Sequence, residues 1–315
     1  MTSPLAVIAI GGNSLIKDNN RMSVADQYGA ANETAEHITA LVAAGYRVVV
    51  THGNGPQVGF VLLRSELSKH ALHEVPLDSC VADTQGAIGY HVGQTLANQL
   101  RRKNLSKSVA SVVTQVLVDK NDPAFLNPTK PIGPFYTEED AKTYQAQNGW
   151  VLKEDAGRGW RRVVASPQPL KIIEEDTIRL LLEKDVIVIA VGGGGIPVIE
   201  NEQGELEGSA AVIDKDLASC LLAKNLKADL FVISTGVDKV AIDYKKPTQR
   251  EIDAMTVAEA EQHLADGQFP PGSMGPKIEA AIDFLKNGGG KVIITQPHLL
   301  AEAIAGQNGT HMTLN

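Results

Sequence analysis

The chain has 315 residues, 43% of them hydrophobic and 21% charged, with a formal net charge of -8. That length can bury the core of a large α/β domain or of two lobes, and the acidic balance argues against broad nucleic-acid binding, which needs a basic footprint. The only cysteines, Cys80 and Cys220, form no C-x-x-C pair, so no disulfide framework is expected and a reducing cytoplasm is the default location.

Residues 5–10 are a short apolar run ending at Gly11-Gly12-Asn13, which reads as a buried parallel strand. No basic region or cleavage site precedes it, and no apolar run reaches the ~18 residues needed to span a membrane, so no membrane partner is expected. Helical spacing over 26–44 stops at Gly45, and a β-branched strand over 47–51 ends at His52-Gly53-Asn54-Gly55-Pro56. Strand, loop, helix, strand is the unit of a doubly wound α/β sheet. Residues 57–70 and 86–102 read as helices, and 109–118 as one further strand.

The alternation breaks over about 119–162, a stretch rich in proline, glycine, lysine and aromatic residues that holds both tryptophans. It is expected to be an inserted flap or small subdomain, with 163–164 as a strand leaving it. Alternation resumes with a helix over 174–183, a strand over 186–191 ending in four glycines, a helix over 214–226 and a strand over 230–234. Helices over 257–265 and 277–286, a strand over 291–295 and a short helix over 299–305 follow. A lobe boundary falls near 204–208, dividing 1–208 from 209–315.

Glycine-rich turns thus follow apolar strands repeatedly, and lysines stand beside or downstream of them. Backbone without Cβ can approach a phosphate closely and offer it N–H groups. No G-x-x-x-x-G-K-[ST] is present, and Gly288-Gly289-Gly290-Lys291 leads into a strand as a helix stop would. Gly53, Gly55 and Gly59 are spaced one residue too widely for a dinucleotide fingerprint, and the histidines lack metal-ligand spacing, so no metal ligand is assigned.

Each remaining motif has two readings. Gly11-Gly12-Asn13-Ser14 is either a phosphate-donor loop or an ordinary strand-to-helix turn. His52 to Gln57 offers an anion nest where the helix dipole favours negative charge by about 0.3–1 kcal/mol, while His52 itself reads as structural more readily than as a base. Lys130, between Pro128-Thr129 and Pro131, is either a lid lysine with a stiffened backbone or a solvated one. Lys215, between Asp214 and Asp216, is held protonated by its neighbours, or the three are surface charges at a capped helix start. Lys277 after Gly275-Pro276 opens a helix, where a cation is disfavoured unless an anion sits nearby.

Together these segments resemble the carbamate kinases of the amino-acid kinase family. The matching pieces are I-G-G-N at 10–13, H-G-N-G-P-Q-V-G at 52–59, P-T-K-P-I-G-P-F at 128–135 and K-E-D-A-G-R-G-W-R-R-V-V at 153–164. G-G-G-G-I-P-V at 192–198, V-I-D-K-D-L-A at 212–218, T-G-V-D at 235–238 and P-G-S-M-G-P-K at 271–277 complete the ordered set. The resemblance implies a three-layer α/β/α sandwich with a mainly parallel, about eight-stranded open sheet and a small protruding subdomain, in a homodimer. It implies reversible phosphoryl transfer between ATP and carbamate with Mg²⁺, run toward ATP synthesis in arginine metabolism, with an N-terminal lobe for carbamate and carbamoyl phosphate and a C-terminal lobe for the nucleotide.

By position, Lys130 would reach the carbamoyl phosphate, Lys215 and Lys277 would neutralise the phosphoryl group in flight, and Asp216 would orient those two lysines. Gly11, Gly12, Asn13, Gly53, Asn54 and Gly55 would donate to the substrate. Thr235, Gly236, Val237, Asp238, Tyr244, Met274 and Gly275, with Lys277, would line the nucleotide pocket. Two departures stand out: Asp83-Thr84 where Met-Ser is usual, and Ala165 where proline is common. The rival readings are another small-carboxylate acceptor on the same fold, a nucleotide-binding regulator without turnover, and a nicotinamide-dependent oxidoreductase. The intact lysine and aspartate set opposes the regulator, and the missing fingerprint opposes the oxidoreductase.

Overall fold

The computed structural model describes residues 3–11, 15–16, 21–155, 157–270 and 272–315. The first part of the chain runs β1 (Leu5–Ile10), α1 (Val24–Ala43), β2 (Arg47–His52), α2 (Gly55–Ser68), α3 (Leu77–Arg102), β3 (Val109–Ser111) and β4 (Gln115–Leu117). Then come β5 (Lys130–Tyr136), α4 (Glu138–Asn148), β6 (Leu152–Glu154) and β7 (Trp160–Val164). The main body resumes with β8 (Lys171–Ile172), α5 (Glu175–Glu183), β9 (Ile187–Ile189), β10 (Ile196–Glu200), β11 (Leu206–Gly208) and α6 (Lys215–Asn225). The last part is β12 (Leu230–Ser234), β13 (Val240–Ile242), β14 (Arg250–Ile252), β15 (Ala254–Thr256), α7 (Val257–Ala265), α8 (Gly275–Lys286), β16 (Lys291–Thr295), α9 (Leu300–Ile304) and β17 (Thr310–Thr313).

Among the described residues the main sheet has eight strands in the order β15-β17-β16-β12-β1-β2-β9-β3. Every neighbouring pair is parallel except β16 with β17. β1 lies inside it with all six residues buried, as a parallel strand covered on both faces must be. Its side chains alternate between two cores. Leu5, Val7 and Ala9 join a cluster with Leu222 of α6 and Phe284 of α8. Ala6, Ile8 and Ile10 join a second with Ile38 and Leu41 of α1 and Leu96 of α3. One strand feeding two helical layers is the three-layer α/β/α sandwich the resemblance implied. Among the described residues no helix is long and apolar enough to cross a membrane.

Three expected elements are redrawn. The strand expected over 109–118 is two, β3 in the main sheet and β4 in a separate four-stranded sheet. The break is made by Gln85 of α3, whose Oε1 accepts from Thr114 N at 2.8 Å while its Nε2 donates to Thr114 O at 3.0 Å. A buried side chain thereby occupies the ladder positions that would have continued the strand. The helix expected over 86–102 begins at Leu77, because Leu77, Cys80, Val81, Thr84 and Gln85 already fall on its buried face. α1 starts two residues early on a Ser23–Asp26 capping box.

β5, β7 and β6 form a three-stranded antiparallel sheet of their own. β5 is an edge strand, where Pro131 removes no ladder bond that the sheet needs. Tyr144 stacks on Trp150 at 4.8 Å, and Arg162 lies over the Trp150 ring at 4.5 Å while pairing with Glu66 of α2 at 2.7 Å. The insertion rests on α2 through two glycines. A Cβ on Gly59 would stand 2.1 Å from Gly133 Cα and N, and Gly133 itself has φ +71°. Backbone meets backbone here, and no larger residue fits.

Candidate active site

Several strands of the main sheet end on one side, where open α/β sheets bind ligands. Gly11 follows β1, Gly53 follows β2, Gly193 follows β9, Thr235 follows β12 and Gln296 follows β16. With Lys130 from the insertion, Lys215 from α6 and Lys277 from α8, they line one cleft of about 760 Å³.

The lysines converge through two aspartates. Asp214 caps α6, accepting from Asp216 N at 2.8 Å, and pairs with Lys130 Nζ at 2.6 Å. Asp216, in the first turn of α6 where the helix dipole favours a carboxylate, is 2% exposed. Its Oδ1 takes Lys215 Nζ at 2.5 Å and its Oδ2 takes Lys277 Nζ at 3.1 Å. One carboxylate thus holds two ammonium groups, and three lysines share two aspartates.

Their protonation follows from burial and charge. Burial, the largest influence on Asp216, opposes its ionisation, yet Lys215 and Lys277 overcome it and hold the carboxyl below the usual range. Lys277 is pulled down by burial but raised further by Asp216 and Asp214, and ends above an ordinary lysine. Lys215 goes the other way. Desolvation is the largest influence and, with repulsion from Lys277, leaves it below an ordinary lysine, although Asp216 and Asp214 raise it as the sequence expectation held. The unfavourable place of Lys277 at a helix start is answered inside the protein by Asp216.

The tetraglycine turn is shaped by packing. Among 192–195, a Cβ would meet His52 Nε2 at 2.5 Å from Gly192, Asn54 Nδ2 at 2.2 Å from Gly193, Ile213 O at 2.4 Å from Gly194 and Val116 Cγ2 at 2.2 Å from Gly195. Only Gly193 of the four lines the cleft. His52 is 1% exposed, with its pKa lowered by burial to about 4, so it is neutral at ordinary pH.

Of the residues singled out from sequence, Gly11, Gly53, Asn54, Gly55, Lys130, Lys215, Thr235, Gly236 and Lys277 line the cleft, with Asp216 bonded to two of its lysines. Gly12 and Asn13 lie outside the described residues. Val237, Asp238, Tyr244, Met274 and Gly275 are not among the lining residues. Asp238 accepts from Gln296 Nε2 at 2.7 Å at the rim, Met274 packs against the core, and Tyr244 is 49% exposed.

Sequence reasoning assigned no role to Glu33, Thr34 and His37 of α1, Asp155, Arg158 and Arg161 of the insertion, or Ser234, Pro297 and His298, which also line the cleft. Arg158 and Arg161 were visible as cations in the G-R-G-W-R-R run. Both stand over the Phe135 ring and share Asp155. The α1 residues carry no signal beyond helical spacing. Among the described residues no cluster of three or more His, Cys, Asp or Glu side chains could hold a metal.

The model of the amino acid kinase family matches residues 4–296. The carbamate kinase-like protein YahI of Escherichia coli is 49% identical over 311 residues, covering 98% of each chain. Carbamate kinase of Pyrococcus horikoshii is 48% identical over 309 residues, again covering 98% of each. The structure of carbamate kinase from Giardia lamblia bound to AMP-PNP has 42% identity and a TM-score of 0.90 over 99% of both chains. The same enzyme bound to citric acid gives a TM-score of 0.94 at 41% identity, over 99% of both chains.

Proposed function

The chain belongs to the amino acid kinase family, and from that premise we propose that it is a carbamate kinase, catalysing ATP + carbamate ⇌ ADP + carbamoyl phosphate. The observation that carries the reading is the single buried carboxylate, Asp216, holding Lys215 and Lys277 at the cleft formed by the glycine-rich strand ends. Near-full-length identity to carbamate kinases supports the acceptor.

The mechanism needs no general base. Carbamate already carries an anionic oxygen, which attacks the γ-phosphorus of ATP as the bond to the β,γ-bridging oxygen breaks. ADP leaves with that bond's electron pair. Charge spreads over the equatorial oxygens in transit, and catalysis is alignment plus electrostatic stabilisation. Lys215 and Lys277 take that charge, and Asp216 fixes their ammonium groups before substrate arrives. Lys130 serves the carbamoyl phosphate side from the insertion. Gly11, Asn54 and Gly55 offer donors to the transferring group, with Gly12 and Asn13 assigned there from sequence; Gly53, expected among these donors, spends its N–H on Ile10 O at 2.9 Å and lines the cleft without donating. Thr235 to Asp238, Tyr244, Met274 and Gly275 belong to the nucleotide side.

Mg²⁺ fits this donor set as a companion of the nucleotide phosphates, since Asp214 and Asp216 are engaged by lysines and Asp155 by arginines, and this ion is commonly held by phosphates and water. We read residues 1–208, with the insertion at about 119–162, as the carbamate lobe and 209–315 as the nucleotide lobe. A cytoplasmic homodimer run toward ATP synthesis, in arginine metabolism or the breakdown of another ureido compound, is the reading carried from the sequence resemblance.

The test is to mix purified protein with carbamoyl phosphate, ADP and Mg²⁺ and follow ATP by luciferase. Lys277→Ala or Lys215→Ala should lower kcat by about 10²–10³-fold with an unchanged circular dichroism spectrum. Near-normal turnover in both variants would defeat the charge-clamp assignment. ADP binding without ATP formation by the native protein would defeat the activity.

A further inference from the structure

We propose that Thr84 is a positioning residue for this reaction: it holds the Asn54 amide away from the start of α2 and leaves that helix's first backbone N–H groups to the anionic substrate. The inference rests on the carbamate kinase reading. Asn54 occupies the N-cap of α2, where an asparagine ordinarily accepts from the backbone two or three residues on. It makes no such bond. Instead its Nδ2 donates to Thr84 Oγ1 at 2.8 Å, and Thr84 Oγ1 donates to Val81 O at 2.7 Å.

The second bond dictates the first. With its proton committed to Val81, the threonine oxygen can only accept, so the amide must present Nδ2 to it. Both residues are buried, Asn54 at 2% exposure and Thr84 at 1%. On the other side Gly193 leaves room, since a methyl there would stand 2.2 Å from Asn54 Nδ2. A hydroxyl in α3 and a bare backbone after β9 therefore clamp one side chain.

The consequence falls on α2. Pro56 at its second position has no N–H, so the first turn offers those of Gly55 and Gln57, which have no acceptor within the helix and receive no side-chain cap, while Gly53, Asn54 and Gly55 line the cleft. An incoming carboxylate or phosphoryl oxygen meets free donors at the positive end of the helix dipole. An Asn54 that capped α2 would take the Gln57 N–H, the one cap donor that Pro56 leaves, and its amide oxygen would stand beside the incoming anion. Thr84 belongs to the Asp83-Thr84 pair that departs from the usual Met-Ser, and its hydroxyl keeps the one feature this role requires.

Thr84→Val keeps the side-chain shape and removes the acceptor. In the ATP-forming assay its KM for carbamoyl phosphate should rise about 10-fold, with kcat little changed and the melting temperature equal to or above that of the native protein. Thr84→Ser should behave as native. In an Asn54→Ala background, Thr84→Val should change KM no further. A native KM in Thr84→Val, or an equal rise in the Asn54→Ala background, overturns the proposal. Protection against heat by inorganic phosphate reads the same donors without turnover. Thr84→Val should need about 10-fold more phosphate for the same rise in melting temperature, and equal protection overturns the proposal. If valine prevents folding, Thr84→Ala serves in both assays. A native protein that makes no ATP defeats the carbamate kinase reading instead, and the phosphate comparison still judges Thr84.

Discussion

Burial keeps His52 from carrying a charge. The ring is 1% exposed, and desolvation lowers its pKa from 6.5 to about 4, against a smaller opposing pull from the Gly53 carbonyl. As pH falls, the unfolded chain takes up a proton on this ring first and the folded chain only later. His52 therefore contributes stability that is present above about pH 6.5 and is lost between there and about pH 4, of order 3 kcal/mol. His52→Gln should flatten this limb. Denaturant unfolding at about pH 7 and about pH 4.5 should show a smaller loss of stability in the variant than in the native protein. Equal losses would mean that the ring is already charged in the fold. Neutral and packed against Gly192, His52 is not among the residues that line the cleft, in keeping with the structural reading of a histidine at a strand end.

The Gly59–Gly133 contact is what lets the insertion sit against α2. Gly59→Ala places a methyl against backbone that cannot yield as a side-chain end would. It should cost roughly 1–3 kcal/mol of stability and reduce turnover by moving Lys130. Denaturant titration with steady-state rates checks both, and native values for both would show that the insertion shifts without penalty. Elements of this kind mark what the sequence revealed and what it hid. The long apolar strands β1, β2, β12 and β16 were legible because burial on both faces demands unbroken runs. β10, β11 and β13 to β15 were not, being short and largely polar or half-exposed. β17 was missed because Thr310–Thr313 holds a single apolar residue, Met312. The lysine and glycine positions of the cleft could be named from motifs. Glu33, Thr34 and His37 could not, because a helix face turned to a cleft has the same period as one turned to water.

For the whole molecule, a net charge of -8 coexists with a cleft into which Lys130, Lys215, Lys277, Arg158 and Arg161 project. An acidic exterior around a basic recess confines attraction for polyanions to the recess. The thiols are as secluded as the charges are concentrated. Cys80 is 0% and Cys220 1% exposed. Burial, helped by nearby carboxylates, pushes Cys80 to about 11 and Cys220 higher still. Iodoacetamide at neutral pH should leave ATP formation unchanged and label both cysteines only in denaturant. Native-state labelling with loss of activity would contradict this placement.

The turn at 192–195 touches four separate parts of the protein in four successive residues: the end of β2, the cap of α2, the approach to α6, and β4. In evolutionary terms this run cannot drift. A substitution at 192, 193 or 195 needs a compensating loss at His52, Asn54 or Val116, while at 194 the neighbour is the Ile213 backbone, which no side-chain loss removes, so no single change can relax them together. The four clashes would persist in a lineage whose chemistry had lapsed, so packing alone accounts for the glycines at 192, 194 and 195, and only Gly193 also answers to the cleft.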